Sequence, residues 1–448
     1  MNRLKQNSGH VYGVKRLINN NSKSSWERTD DAIGLIANAT KDGSAVQNDF
    51  NKLAPWNEII SFNIDLTTKR KKAYFGDANF KFDGTNGDVY TKIPDFYYKI
   101  WKDDAYEYIQ ISDSERSGFI KSNSFEVGRY HTGLIDNVLR SYSGITPARY
   151  KTLPAFRTLA KSISEKFGIL DFMQYDLIKL LYLVEYADYN AQSTLGFGMS
   201  SMRVNLEDKA LVAENTTNRI IINTSSANNF IVGQIISIGT SSTENFSVAS
   251  DRKIVSIVDY SEGEITGKAI TFDGKAVNIA VNNVIWTSGQ LSGGCDTLGM
   301  LSGCLSNDGK HAIIYRGLEN FFGNVWHFID GINLKDRKAW ICTNPDEYVS
   351  DKFEAPYVEL EYTNVNTNGY IKALGFDINN PLARFPIETG GGNTTYVSDY
   401  YYGESGNVVA LVGGRLFGGA NCGPWCWYLN FASSFSSWNL GARLSIHQ

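Results

Sequence analysis

Residues 412–448 read VGGRLFGGANCGPWCWYLNFASSFSSWNLGARLSIHQ. From Ser405 to the end there is no Asp, Glu or Lys, and only Arg415 and Arg443 carry charge. Between Phe417 and Trp438 stand seven aromatics in 22 positions, against 13% for the whole chain. A stretch so aromatic and so poor in charge does not read as an ordinary solvated face. It is either a set of core strands or a surface of aromatic anchors. Just upstream, Tyr396-Val397-Ser398-Asp399-Tyr400-Tyr401-Tyr402 adds a second aromatic run that would extend such a surface.

Moving toward the N-terminus, residues from Cys295 onward alternate glycine, aromatics and short strand-like runs. Residues 206–290 differ. Arg219–Ile222, Phe230–Val232, Gln234–Ile238, Lys253–Val258 and Val277–Ile285 are β-branched runs separated by Asn, Ser, Gly and Asp, which predicts a small inserted all-β barrel or sandwich. Before it lie two helical patterns. In Leu153–Phe167 the residues Phe156, Leu159, Ala160 and Ile163 form an amphipathic stripe, with Pro154 suited to the first turn and Gly168 to the end. The second pattern, Phe172 to Tyr189, is apolar on both sides and predicts a more buried helix. Residues 1–140 read as short strands and turns. Ala73–Asp77 leads into Phe80–Gly84, and Tyr97–Trp101 pairs with Tyr106–Ile111 around Asp103-Asp104.

The 448 residues give a prior of about three domains. With 42% hydrophobic and 20% charged residues the chain can bury a sizeable core. A net charge of −4 and a pI near 5.8 argue against nucleic-acid binding as the main function. No run of 18 apolar residues predicts membrane insertion, and Met1–Ser8 lacks the apolar core of a secretory signal. Five cysteines, an odd and sparse set, are not a disulfide framework. Abundant aromatics and 41 Gly with 9 Pro suit a β-rich, loop-rich α+β fold.

The ending also carries a resemblance. Val412-Gly413-Gly414-Arg415, Cys422-Gly423-Pro424-Trp425-Cys426-Trp427 and Ser433–Leu444, together with Gly323-Asn324-Val325-Trp326, resemble the C-terminal variable domains of proteins diversified by diversity-generating retroelements. Such domains occur on phage tail fibres and some bacterial surfaces. The resemblance implies a C-type lectin fold of the formylglycine-generating-enzyme type over residues 141–205 and 291–448. The helix pair takes that fold's two helices, and 206–290 is an insertion. Residues 1–140 resemble prophage tail proteins in general pattern, which implies tail attachment or oligomerisation.

In that family, template adenines are miscopied during reverse transcription, so Asn codons vary most and the scaffold between them stays fixed. Carried over position by position, the resemblance implies that Gly413, Gly414, Trp438, Gly441 and Arg443 are scaffold. Phe417, Asn421, Trp425, Tyr428, Asn430, Phe431, Phe435, Ser437 and Asn439 fall at variable, ligand-binding positions. The implied function is that of a phage or prophage tail receptor-binding protein, made in the bacterial cytoplasm and acting at the virion tail tip. Its partners would be a host-cell surface protein or polysaccharide and other tail proteins. A homo-oligomer such as a trimer would give avidity. Aromatic side chains suit this role because they offer large contact area for few rotatable bonds.

Two alternatives follow from the same residues. The fold type includes a copper-dependent oxidase that uses two C-terminal cysteines. Cys422 and Cys426 are spaced one residue closer than its pair, and Gly423-Pro424 opposes a helix that would align them. A passive tail or baseplate component would instead bury the aromatics in a subunit interface. The five His lie far apart in sequence and out of zinc spacing, and Gly390-Gly391-Gly392 is not followed by a phosphate-loop Lys-Ser/Thr. The expectation is a binding protein, not an enzyme, with no cofactor and no metal.

Overall fold

The computed structural model describes residues 9–18, 20–22 and 25–447. Met1–Ser8, read above for a secretory signal, lie outside the described residues. The protein is a β-rich α+β chain, with 38% strand against 11% helix. It divides into two compact units, one of residues 1–199 and 292–448, the other of residues 200–291. Among the described residues no helix is long and apolar enough to cross a membrane.

In the larger unit, α1 spans Leu153–Ile163 and α2 spans Phe172–Tyr186. Thr152 caps α1 by accepting from the Ala155 N–H, and Pro154 occupies its first turn. The helix ends before the expected Gly168. Ser164 is already extended, and Phe167–Ile169 forms a strand on Leu444–Ile446 that buries Phe167 and Ile169. Pairing with the distant C-terminal strand overrides the local helical pattern here. α2 opens with a capping box between Asp171 and Gln174 and stops at Ala187, whose φ of 53° is left-handed. Every residue of α2 except Met173 is buried, in line with its two apolar sides.

Among the described residues of this unit, three large sheets accompany the helix pair, beside a two-stranded and a three-stranded one. An N-terminal antiparallel sheet runs in the order Trp26–Asp30, Val11–Leu17, Tyr106–Ser112, Phe96–Lys102, Ile120–Ser122. The expected pairing around Asp103-Asp104 is present, with Ile100 opposite Ile109. A second antiparallel sheet orders Phe167–Ile169, Leu444–Ile446, Phe125–Gly128, Asp88–Ile93, Ile60–Asp65 and Arg70–Tyr74. The third carries the C-terminal segment: Val358–Thr363, Lys338–Ile341, Trp326–Lys335, Asn407–Val412, Trp427–Phe431, Tyr400–Gly403, Gly369–Leu374, Pro386–Thr389. Leu440–Gly441 joins it in parallel at Trp326.

Residue 140 is no boundary between bodies. The second sheet mixes strands from either side of it, and one apolar core runs from Tyr12 and Ile109 through α2 to Ile329 and Trp427. The expected strand at Phe80–Gly84 is a loop, whose Phe80 and Phe82 pack with Phe75. The smaller unit is antiparallel, in the order Arg219–Ile222, Ile265–Phe272, Ala249–Glu262, Ile235–Gly239, Val284–Thr287. It closes over its own core of Ile220, Ile236, Ile254, Ile270 and Ile285. Phe230–Val232, expected as a strand, is a turn before the strand that begins at Ile235.

Candidate functional site

The strand Trp427–Phe431 lies between Asn407–Val412, antiparallel, and Tyr400–Gly403, parallel. Side chains alternate across it. Trp427 and Leu429 turn into the core shared with α2, as does Tyr401 on the neighbouring strand. Tyr428, Tyr400 and Tyr402 face the other way and stay half-buried, resting on a second core of Trp326, Phe328, Leu411 and Leu440.

These outward rings form a continuous row. Tyr370 meets Tyr400 at 5.1 Å between centroids, Tyr400 meets Tyr402 at 4.5 Å, and Tyr402 meets Tyr428 at 4.9 Å. The row continues from Tyr428 to Phe431 at 5.0 Å and to Phe435 at 3.9 Å, where the last two rings stack. Trp326 lies beneath, 5.0 Å from Tyr428. Phe435 is 38% exposed, and the other members of the row are half-buried. Such offset and tilted contacts stabilise each ring pair by about 0.5–1.5 kcal/mol beyond area burial. The row is therefore a preordered surface, with little entropy left to lose on binding.

Asn421 links the upstream rings. Its Nδ2 donates to the Tyr402 hydroxyl at 2.8 Å, and its Oδ1 accepts from the Tyr370 hydroxyl at 2.7 Å. Partial burial pushes the Tyr402 phenol up to about 12, so it remains a neutral donor and acceptor. A smaller aromatic group sits apart from the row. Phe417 stacks on buried Trp438 at 6.0 Å, with the Arg415 guanidinium 3.9 Å above the Phe417 ring. Asn430 and Ser437 are half-buried.

Two of the expected variable positions lie inside the protein. Trp425 is 3% exposed, packs edge-on against Tyr189 at 4.9 Å, and donates its backbone N–H to the Asp399 carboxylate at 2.8 Å. Asn439 is 6% exposed, and its carbonyl accepts from the Trp326 N–H at 3.0 Å. Exposure of all seven aromatics between Phe417 and Trp438 is likewise not what is found. Trp425, Trp427 and Trp438 are core, because alternation and the Gly423-Pro424 turn direct them inward.

The residues read as scaffold occupy constrained positions. Arg443 is buried, and its Nη1 donates to the carbonyls of Gly128 (2.9 Å) and Arg129 (2.7 Å). Its Nη2 donates to the carbonyls of Glu319 (2.5 Å) and Asn320 (3.1 Å). Burial pulls its pKa down to about 10, still charged at neutral pH. Gly414 has φ +86°, and a Cβ there would lie 2.4 Å from the Cys422 sulfur. Gly323 has φ +81°, and a Cβ would lie 2.7 Å from the Met199 carbonyl oxygen. Gly413 also has positive φ, and Gly441 pairs in parallel with His327.

Cys422 and Cys426 fall in different cores, one with α2 and the other with Phe328 and Leu411. Burial pushes the Cys422 thiol up to about 12 and the Cys426 thiol well above the ordinary thiol range. Neither is poised as a thiolate.

Tyr370 had no signal in the sequence, since its place in the row depends on pairing Gly369–Leu374 with Tyr400–Gly403. His131 and His327, 196 positions apart, also meet: Nε2 of the first and Nδ1 of the second share a hydrogen bond of 3.0 Å in the core. No family model matches this chain, and no curated protein is significantly similar to it.

Proposed function

We propose that the chain is a receptor-binding protein of a phage or prophage tail, and that the aromatic row from Tyr370 to Phe435 is the face that meets the host-cell surface. The observation that carries this reading is the row itself. Six rings in contact, one with the next, lie half-buried to exposed, three of them (Tyr428, Phe431 and Phe435) in the charge-poor segment after Ser405. A monomer gains nothing by leaving such a row unfinished, whereas a binding face needs rigid, amphipathic area.

The C-type lectin fold remains part of this proposal. Supporting it are the helix pair before the insertion, the tight Gly323–Trp326 corner, and the strand of residues 427–431 packed on residues 407–412. Within the retroelement reading, Phe417, Asn421, Tyr428, Asn430, Phe431, Phe435 and Ser437 are reachable positions where change leaves the core intact. Trp425 and Asn439 are not. The copper-oxidase reading has less support, because the two thiols lie in separate cores and are held protonated. The passive-component reading has less support because three of the seven aromatics serve the chain's own core.

The test is binding of the full chain to a panel of bacterial cells, comparing wild type with a variant carrying Tyr428→Ser, Phe431→Ser and Phe435→Ser. Loss of cell binding is expected in a variant that still unfolds cooperatively, at a melting temperature lowered by the lost ring contacts. Unchanged binding by a folded variant sinks the assignment. Sequencing the DNA beside the gene tests the retroelement component. A near-repeat of codons 412–448, mismatched only at template adenines, is the expected result.

A further inference from the structure

The buried helix α2 carries a carboxyl and an amine one turn apart, Asp176 and Lys179. Each is 3% exposed, and Asp176 Oδ1 is in contact with Lys179 Nζ. Aromatic rings enclose the amine: the centroids of Tyr175, Trp427 and Trp425 lie 4.9, 5.1 and 5.9 Å from Nζ. Among the described residues no other group hydrogen-bonds to Nζ. A void of about 10 Å³, room for one water, is lined by both residues and by buried Arg384. Arg384 Nη2 donates to Glu107 and to the Tyr189 hydroxyl, while its Nε has no partner among the described residues.

This is a poor place for an ion pair. Two buried charges recover their lost hydration only when further hydrogen bonds satisfy the remaining donors and lone pairs. A lysine ammonium has three donors, and Nζ meets one acceptor. Burial accordingly pushes the Asp176 carboxyl up from its ordinary range and pulls the Lys179 amine down from its own. Both shifts favour the neutral forms, a carboxylic acid touching a free amine. Those are the two reactants of an amide, held together on a fixed backbone in a site that excludes bulk water.

We infer that Asp176 and Lys179 become joined by an isopeptide bond that forms inside the folded chain. The Nζ lone pair attacks Cγ of the protonated Asp176 and the C–N bond forms. The carboxyl oxygen gains negative charge in the tetrahedral intermediate, and the Nε–H of Arg384 is a free donor in the same void to stabilise it. The Cγ–OH bond then breaks, an amine proton passes to the departing hydroxyl, and one water is released, for which the void has room. No oxidation state changes, and no co-reactant is needed. Because the two atoms already touch within the regular helix, closure asks little movement of α2. The product exchanges a buried ionisable couple for a neutral amide under the inner face of the strand Trp427–Phe431, and it forms whether or not the aromatic row binds a receptor.

The experiment is mass spectrometry of the purified full chain, denatured to strip anything held non-covalently. The intact mass is expected about 18 Da, one water, below that of the sequence. Trypsin does not cut after an acylated lysine, so residues 167–203 should be recovered as one peptide carrying the same loss. Fragment ions should place the link between Asp176 and Lys179. Lys179→Arg keeps a cation at this position without a lysine amine, and it should return the chain to full mass. If that variant does not fold, the digest of the wild-type chain decides alone. A wild-type chain of full mass that trypsin cuts after Lys179 overturns the inference. So does a loss of water that fragment ions place elsewhere, or one that persists in Lys179→Arg.

Discussion

The two faces of the strand Trp427–Phe431 use the same residue class for opposite ends. On the inner face, Trp427 and Leu429 join Trp425, Tyr182 and Tyr189 in a closed core against α2. On the outer face, Tyr428 and Phe431 join Tyr400, Tyr402 and Phe435 in a row that stops at solvent. Composition cannot tell the faces apart. The alternation of the strand does, along with what lies on each side. A helix buried along nearly its whole length joins the core of the inner face, while the rings of the outer face rest on Trp326, Phe328, Leu411 and Leu440 and are otherwise open. The inner face therefore sets stability, and the outer face is open to change.

The strongest way to break that comparison is at Arg443, which ties the C-terminal strand to the carbonyls of Gly128, Arg129, Glu319 and Asn320. Arg443→Met leaves four buried acceptors short of a donor, at about 1–3 kcal/mol for each unsatisfied group. The expected outcome is loss of soluble folded protein, or a drop in denaturation midpoint larger than that of any outer-face variant. A midpoint close to wild type would mean the clasp is dispensable. Next comes a direct contrast. Trp425→Ser should cost roughly 3–5 kcal/mol as a cavity in the core, while Phe435→Ser should stay within about 1 kcal/mol. Urea unfolding of both variants measures the gap, and equal losses would erase the distinction between the faces.

How far these faces were legible in the sequence depended on range. Both long helices were legible from local signals, the stripe of Phe156, Leu159, Ala160 and Ile163 behind Pro154 and the apolar run from Phe172 to Tyr189. The early end of α1 was not local, since it depends on Phe167 pairing with Ile446. The aromatic density of residues 417–438 marked the right segment but not which rings turn inward. That needs the register, with Tyr402 opposite Tyr428 and Tyr401 opposite Trp427. Tyr370 and the His131–His327 pair were invisible for the same reason: both arise where distant strands meet. Arg443 stood out through resemblance alone, because nothing in its neighbours foretells four carbonyl partners.

The inner face also carries an acid sensitivity that the outer face lacks. His327 packs toward Tyr175 of α2 and shares its hydrogen bond with His131. Burial pulls His327 down to about 3 and His131 well below the ordinary imidazole range. The unfolded chain takes up protons on these rings below about pH 6.5 while the folded chain does not, so stability is full above that pH and falls toward pH 3. For His327 the loss is roughly 2–3 kcal/mol by pH 4.5. Asp171 and Glu319, both pushed up to about 7 by burial, act in the opposite sense and add stability as pH falls from 7 toward 4. The difference between wild type and His327→Gln isolates the histidine contribution. Melting temperatures from pH 7 to 4.5 should fall more steeply for wild type than for the variant, and parallel curves would refute the assignment.

The smallest expected effect is the most informative about the outer face. Asn421 holds the Tyr370 and Tyr402 hydroxyls with hydrogen bonds of 2.7 and 2.8 Å, and it is one of the positions the family resemblance marks as variable. Asn421→Ala removes both bonds at a half-buried site, where each contributes about 0.5–1.5 kcal/mol, and water can replace part of that. Stability should fall by about 1 kcal/mol or less, measured by urea unfolding. The rings themselves should loosen more than the fold does, seen as faster ring flipping of Tyr370 and Tyr402 by NMR. A variable residue would then tune how rigidly its fixed neighbours are presented, so changing one codon would alter the shape of a surface it only partly forms. If both tyrosines stay as ordered in Asn421→Ala as in wild type, their stacking on Tyr400 and Tyr428 is sufficient, and the upstream half of the row is independent of the downstream segment.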